Sequence, residues 1–129
     1  MSPTPAQPQQ VYYEEPALYV FDQALLASAT ITDLSRTIDR DSDFLLARIH
    51  GTQTGSYTIS VKLPNGRPIS NTPVANANLV GTAANPVFIG PPILYIAGSR
   101  IAIDLTDTSA APNNIEIVFA GVRRYRIGG

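Results

Sequence analysis

Three stretches of this chain alternate apolar and polar side chains with a period of two: SYTISVKL at 56–63, RIAIDLTD at 100–107 and NIEIVFAG at 114–121. In the first, Tyr57, Ile59, Val61 and Leu63 point one way, and Ser56, Thr58, Ser60 and Lys62 the other. The second sets Ile101, Ile103 and Leu105 against Ala102, Asp104 and Thr106; the third sets Ile115, Ile117 and Phe119 against Glu116, Val118 and Ala120. Period two is the signature of a pleated strand. Helices have little room, because eleven prolines and nine glycines punctuate 129 residues; proline lacks the N–H a helix interior needs and glycine raises its entropy cost.

Further strands are expected in ALYVFD at 17–22, SATITDL at 28–34, DFLLARIHG at 43–51 and PVFIGPPILYIAG at 86–98, where the proline pairs confine the chain to edges or turns. PNGRP at 64–68 and TSAAPNN at 108–114 supply turn chemistry. Residues 68–86, rich in Asn, Ala, Thr and Pro, read as a long surface excursion that ends in a short strand at most. Seven to nine short strands without a helix longer than a turn or two predict an all-β fold, an antiparallel β-sandwich or barrel.

The length fits one domain with a core that needs no staples. Cysteine is absent, which excludes disulfides and thiolate chemistry and fits synthesis in a reducing compartment. The net charge of −1 implies no nucleic-acid partner. MSPTPAQPQQ lacks the basic and apolar regions of a secretory signal, and no apolar run reaches the ~18 residues of a membrane span. Residues 1–16 are Pro- and Gln-rich and read as an extended arm, flexible when alone, ahead of a single sandwich domain at 17–129. Tyr12 and Tyr13 stand out in that arm as a docking point.

Two strands look apolar on both faces. Opposite Phe44 and Leu46 lie Leu45, Ala47 and Ile49; opposite Ile117 and Phe119 lie Val118 and Val122. Either loops cover the second face or Leu45, Ala47, Ile49, Val118 and Val122 form a subunit interface.

No catalytic signature emerges. IDRDSDF at 38–44 places Asp39, Asp41 and Asp43 on alternate positions. A helix–loop–helix calcium loop counted from Asp39 requires glycine at its sixth position and glutamate at its twelfth, where this chain has Phe44 and His50. The segment reads instead as a charged entry to a strand. His50 is the sole histidine and sits before Gly51 at an expected strand end, without a nucleophile elbow or a second metal ligand. Glu14, Glu15 and Glu116 have no visible reason to face one another across a cleft. The basic cluster Arg123, Arg124, Tyr125 and Arg126 has the Arg–Tyr make-up common at protein interfaces but no wider basic field for nucleic acid. No cofactor and no enzymatic activity are expected.

DSDFLLARIHG, SYTISVKLPNGRPIS and RIAIDLTDTSAAPNNIEIVFAGVRRYR together resemble the capsid cement or decoration proteins of tailed bacteriophages, of the jelly-roll, Bordetella-phage-like type. The likeness spans about residues 38–127 and rests on the Asp-Phe strand entry, the IxIDLxDxS strand with its turn and the FxGxxRYR ending. It implies a jelly-roll sandwich that sits outside the shell as a dimer or trimer, contacts the major capsid protein and bridges capsomers. It also implies a virion protein made in the bacterial host cytoplasm, with no membrane or nucleic-acid partner. The other reading is a tail or fibre module that binds host glycan or protein. The absence of Trp, and of any aromatic residue in 68–86, disfavours a glycan site.

Overall fold

The computed structural model describes residues 11–127. Eight strands follow one another: β1 (Val11–Leu25), β2 (Thr30–Thr37), β3 (Asp43–Gln53), β4 (Tyr57–Lys62), β5 (Val74–Ala75), β6 (Val87–Tyr95), β7 (Arg100–Asp107) and β8 (Asn113–Ile127). A four-residue helix, α1 (Asn76–Leu79), follows β5 within the 68–86 excursion. β1 pairs with β8, β2 with β7, β3 with β6 and β4 with β5, all antiparallel. The chain is thus one long hairpin folded back from the β4–β5 end. Rolling it up adds β3–β8 and β4–β7 contacts. Two four-stranded sheets result, ordered β1-β8-β3-β6 and β2-β7-β4-β5, which is a jelly roll.

The core lies between the sheets and is built by the alternating positions. Tyr57, Ile59 and Val61 meet Ile101, Ile103 and Leu105 on one wall; Phe21, Phe44, Leu46, Ile117 and Phe119 form the other, all fully buried. The Phe21 and Phe119 rings sit 5.1 Å apart. Each such side chain contributes about 1.5–3 kcal/mol by leaving water. Tyr95 keeps its polar end satisfied, its hydroxyl donating to the Lys62 carbonyl at 2.9 Å.

β1 begins at Val11, so residues 11–16, which the composition assigns to an arm, are the first two fifths of a 15-residue strand. Glu14 and Glu15 pair in register with Arg124 and Arg123 on β8. The ladder and its ion pairs supply what the polar sequence alone does not, partners that offset the entropy of ordering. Residues 1–10 of the expected arm lie outside the described residues.

A second departure is local. β3 carries a bulge at Ala47: Leu46 faces Gly121 on β8, and the next paired residue, Arg48, faces Ala120. The extra residue flips the alternation. Phe44, Leu46 and then Ile49 point into the core, with Ile49 fully buried, while Arg48 leaves the face it would otherwise share with Phe44. Gly121 is the condition for this. A Cβ there would lie 1.7 Å from the Leu45 carbonyl oxygen, so Gly121→Ala is expected to cost about 3 kcal/mol or more through steric strain at the bulge. Urea unfolding with a midpoint like the parent's would show that the strands separate freely there.

The β7–β8 corner is pinned by buried polar groups. Asn113 is fully buried; its amide donates to the carbonyls of Gly55 (2.8 Å) and Ser56 (3.1 Å) and to Asp107 Oδ1 (3.1 Å), and accepts from the Gly55 N–H (3.0 Å). The Ser109 hydroxyl, the Ser28 N–H and the Asn113 amide hold the Asp107 carboxyl well below the usual carboxylate range. Asn113→Ala is expected to cost about 2–4 kcal/mol in urea unfolding, because several buried groups lose partners together. The depressed Asp107 pKa makes its contribution complete above the unfolded value near 3.8 and progressively lost as pH falls below it. Replacing Asp107 with Asn is therefore expected to flatten the acid limb of the stability curve.

Candidate functional site

The two outer faces of the sandwich differ in character. On the β2-β7-β4-β5 sheet, Thr30, Thr106 and Thr58 share one row and Ser60 and Asp104 the next. Lys62 is ion-paired with Asp33 and, at 3.4 Å, with Asp104. This face is polar and internally satisfied.

The outer face of the β1-β8-β3-β6 sheet is apolar. Its rows are set by the register. Pro16, Val122, Leu45 and Leu94 form one row across the four strands, and Leu18, Ala120, Arg48 and Phe88 the next. Val20, Val118 and His50 form a third. Phe88 is 74% exposed, Leu18 57%, Leu94 43% and Val20 39%, and Ile96, one residue past β6, is 57% exposed. Val118 and Ala120 lie low between them, buried. The five exposed side chains leave on the order of 500 Å² of apolar surface in water, the scale at which a patch marks an interaction site. Polar rows close the band at both ends: Glu14, Arg124 and Asp43 at one, Asp22, Glu116 and Thr52 at the other.

Of the residues expected at an interface from the sequence, Leu45, Ala47, Val118 and Val122 belong to this sheet's outer side. Ile49 does not; the Ala47 bulge turns it into the core. Leu18, Val20, Phe88, Leu94 and Ile96 were missed. ALYVFD carried a signal, since Leu18 and Val20 alternate with Ala17, Tyr19 and Phe21. In PVFIGPPILYIAG Phe88, Leu94 and Ile96 also alternate with the core-packed Ile89, Ile93 and Tyr95, but Gly90, Pro91 and Pro92 interrupt the apolar pattern between them.

The second group of expected residues comes together at the sheet's end, where β1 and β8 run on as a ribbon. Tyr13 lies in register with Tyr125, and Tyr12 with Arg126, whose side chain lies outside the described residues. The Arg123 guanidinium reaches Glu15 at 3.2 Å and Asp39 at 3.4 Å. The Tyr125 hydroxyl donates to the same Glu15 carboxylate at 3.0 Å. Arg124 pairs with Glu14 at 3.2 Å and sits 4.7 Å from the centre of the Tyr12 ring. Tyr13 and Tyr125 rings lie 6.2 Å apart. The cluster whose make-up suggests a protein interface is thus largely neutralised by carboxylates of its own chain.

IDRDSDF resolves in the same way. Ile38 is core, Asp39 pairs with Arg123, and Asp43 accepts the Ala97 N–H at 2.8 Å. Among the described residues no group of His, Cys, Asp and Glu has the arrangement to hold a metal ion. His50 lies within β3, three residues before its end.

The exposed edge of β1 is blunted. The Val20 carbonyl accepts from Arg36 Nε at 2.8 Å, and the Arg36 guanidinium lies 5.1 Å from the Phe21 ring centre. Because Val20 turns its backbone to the free edge, so does Pro16, four residues earlier, where the missing N–H costs nothing. Edge pairing with another chain is hindered at both points, which leaves the flat face as the open surface.

No family model matches the chain, and no curated protein does. Among solved structures, one similar chain comes from Bacillus endospore appendages, described as disulfide-linked pili: 13% identity, 99% of each chain covered, TM-score 0.40. Another comes from the subviral particle of infectious bursal disease virus: 15% identity, 94% of this chain and 38% of that one, TM-score 0.30. A third comes from the Gt strain of that virus: 13% identity, 99% and 42%, TM-score 0.25. This chain spans well under half of each virus chain. With TM-scores below 0.5, these likenesses carry no argument about function.

The face assignment is directly testable. Ile49→Ala is expected to cost about 2–4 kcal/mol in urea unfolding, whereas Phe88→Ser, measured at protein concentrations low enough to exclude self-association, stays within about 0.5 kcal/mol of the parent. Equal costs at the two positions would contradict it.

Proposed function

We propose that this chain is a non-catalytic structural protein of a phage particle, one that binds the outside of the capsid as an oligomer and cements neighbouring capsomers. The observation that carries the reading is the apolar outer face of the β1-β8-β3-β6 sheet, whose leading side chains Phe88 and Leu18 are 74% and 57% exposed. A surface of this kind is costly to leave wet and is made to be covered. A sandwich pinned by buried networks such as that at Asn113 suits a strut. The capsid partner itself is supported by the sequence resemblance to phage cement proteins, not by the face. Binding only the assembled lattice stabilises it by mass action, and many copies make a modest contact per copy sufficient.

The test is to add the purified chain to particles of its own phage prepared without it. Saturable co-sedimentation is expected, with new cryo-electron-microscopy density at capsomer junctions on the outer shell. Removing residues 1–10 leaves β1 whole, so a loss of occupancy in that truncation assigns docking to the arm. Density at the neck, tail or fibre instead of the shell would overturn the cementing role in favour of host or tail attachment.

A further inference from the structure

We propose that the occupant of the apolar face is a second copy of this chain, packed face to face about a twofold axis that runs along the strands between β8 and β3. The inference takes from the proposed function only that the chain self-associates; it does not depend on the capsid.

The size of the face fits such a partner. Four strands at about 4.8 Å spacing and seven residues at about 3.3 Å give a flat footprint of roughly 450 Å² before side-chain relief is counted. Side-chain relief raises that flat figure toward the ~800 Å² of accessible surface each partner buries in a standard interface. The chain's own leading segment is a poor cover, because apart from prolines residues 1–10 offer only Met1 and Ala6 as apolar side chains. Sheets pack face to face at about 10 Å with nearly aligned strands, so the dimer would be a continuous stack of four sheets.

The charges choose the axis. A twofold axis across the strands, centred on the Leu18–Ala120–Arg48–Phe88 row, lays the Glu14–Arg124–Asp43 row on the partner's Asp22–Glu116–Thr52 row. Each strand then lies on its own copy, so Glu14 sits directly over the partner subunit's Asp22 at both ends and Arg48 directly over the partner subunit's Arg48. Like charges brought together on a drying surface are strongly unfavourable.

An axis along the strands keeps each row opposite the same row and exchanges the strands, β1 with β6 and β8 with β3. Leu18 then meets the partner subunit's Phe88, Pro16 meets the partner subunit's Leu94, and Val122 meets the partner subunit's Leu45. At the rim Arg124 faces the partner subunit's Asp43, twice by symmetry. Both groups retain capacity for this. Arg124 engages Glu14 through Nε, and Asp43 uses Oδ1 for the Ala97 N–H. Glu116 lies over the partner subunit's Thr52, and Asp22 lies beyond the Val87 end of the partner subunit's β6, whose pairing with β3 stops opposite Ile49, so no carboxylate is set directly on another. Leu18 and Phe88 pack on each other at the flanks, and the low Ala120 and Val118 at the centre leave room for the partner subunit's Arg48 and the partner subunit's His50.

The absence of cysteine makes the test clean. In sedimentation velocity the full chain is expected at twice its 13.8 kDa mass. Leu18→Asp and Phe88→Asp, both at exposed positions, are each expected to weaken the dimer about a hundredfold with an unchanged circular dichroism spectrum. A chain carrying both Leu18→Cys and Phe88→Cys is expected to cross-link into dimers with a short bis-maleimide, and Leu18→Cys alone is not. Cross-linking of the single Leu18→Cys variant with itself would overturn the axis. A dimer indifferent to both aspartates would overturn the face. A parent chain that is monomeric at micromolar concentration yet still coats capsids would overturn the twofold and leave the capsid role standing. A dimer that ignores capsids would support the twofold while removing the capsid role.

Discussion

A jelly roll is a folded hairpin whose two ends must find each other, and here they do so through the β1–β8 ladder. It runs from Val11 opposite Ile127 to Leu25 opposite Asn113 without a register break. β8 is shared, since β3 pairs with its other edge from Asp43 opposite Arg124 to Gln53 opposite Ile115. The remaining features hang on this strand. It carries Phe119 to Phe21 in the core, brings Arg123 and Arg124 to Glu15 and Glu14 at the ribbon, and ends at Asn113, the polar pin of the β7–β8 corner.

One inserted residue then sorts what is inside from what is outside. Because Ala47 is extra relative to β8, Arg48 and His50 leave the core side of β3 and Ile49 enters it. Gly121 makes room for the Leu45 carbonyl that the bulge pushes across. The outcome is a sheet whose outer face is apolar over three rows apart from Arg48 and His50 on β3 and bordered by charge, set against an opposite face of Thr, Ser, Asp and Lys. That is the anatomy of an interface with a dry centre and a polar rim. The edge beside it is closed by Arg36 on the Val20 carbonyl and by the missing N–H of Pro16, so association is steered to the face.

Where a strand buries one side and wets the other, the sequence reports it directly. Tyr57, Ile59 and Val61, Ile101, Ile103 and Leu105, and Ile115, Ile117 and Phe119 all occupy the core as their alternation requires. The polar start of β1 defeats composition, because Glu14 and Glu15 are ordered by arginines more than a hundred residues away. The same separation hides the neutralisation of Arg123 and Arg124. Parity fails in β3, where the bulge reverses the face taken by the next residues, whereas in β6 the register break against β3 leaves Phe88, Leu94 and Ile96 out and Ile89, Ile93 and Tyr95 on the core.

By itself the sequence determined that this chain is all-β, where most of its strands lie and which of their faces are apolar, because period-two alternation and the Pro, Gly and Asn turns are local properties of consecutive residues. Only the tertiary structure decided the jelly-roll nesting, the reach of β1 back to Val11, the burial of Ile49 and the gathering of Leu18, Val20, Phe88 and Leu94 into one surface. Those outcomes depend on register between strands distant in sequence, and in β3 a shift of one residue at Ala47 decides which side Ile49 takes, which no local pattern records.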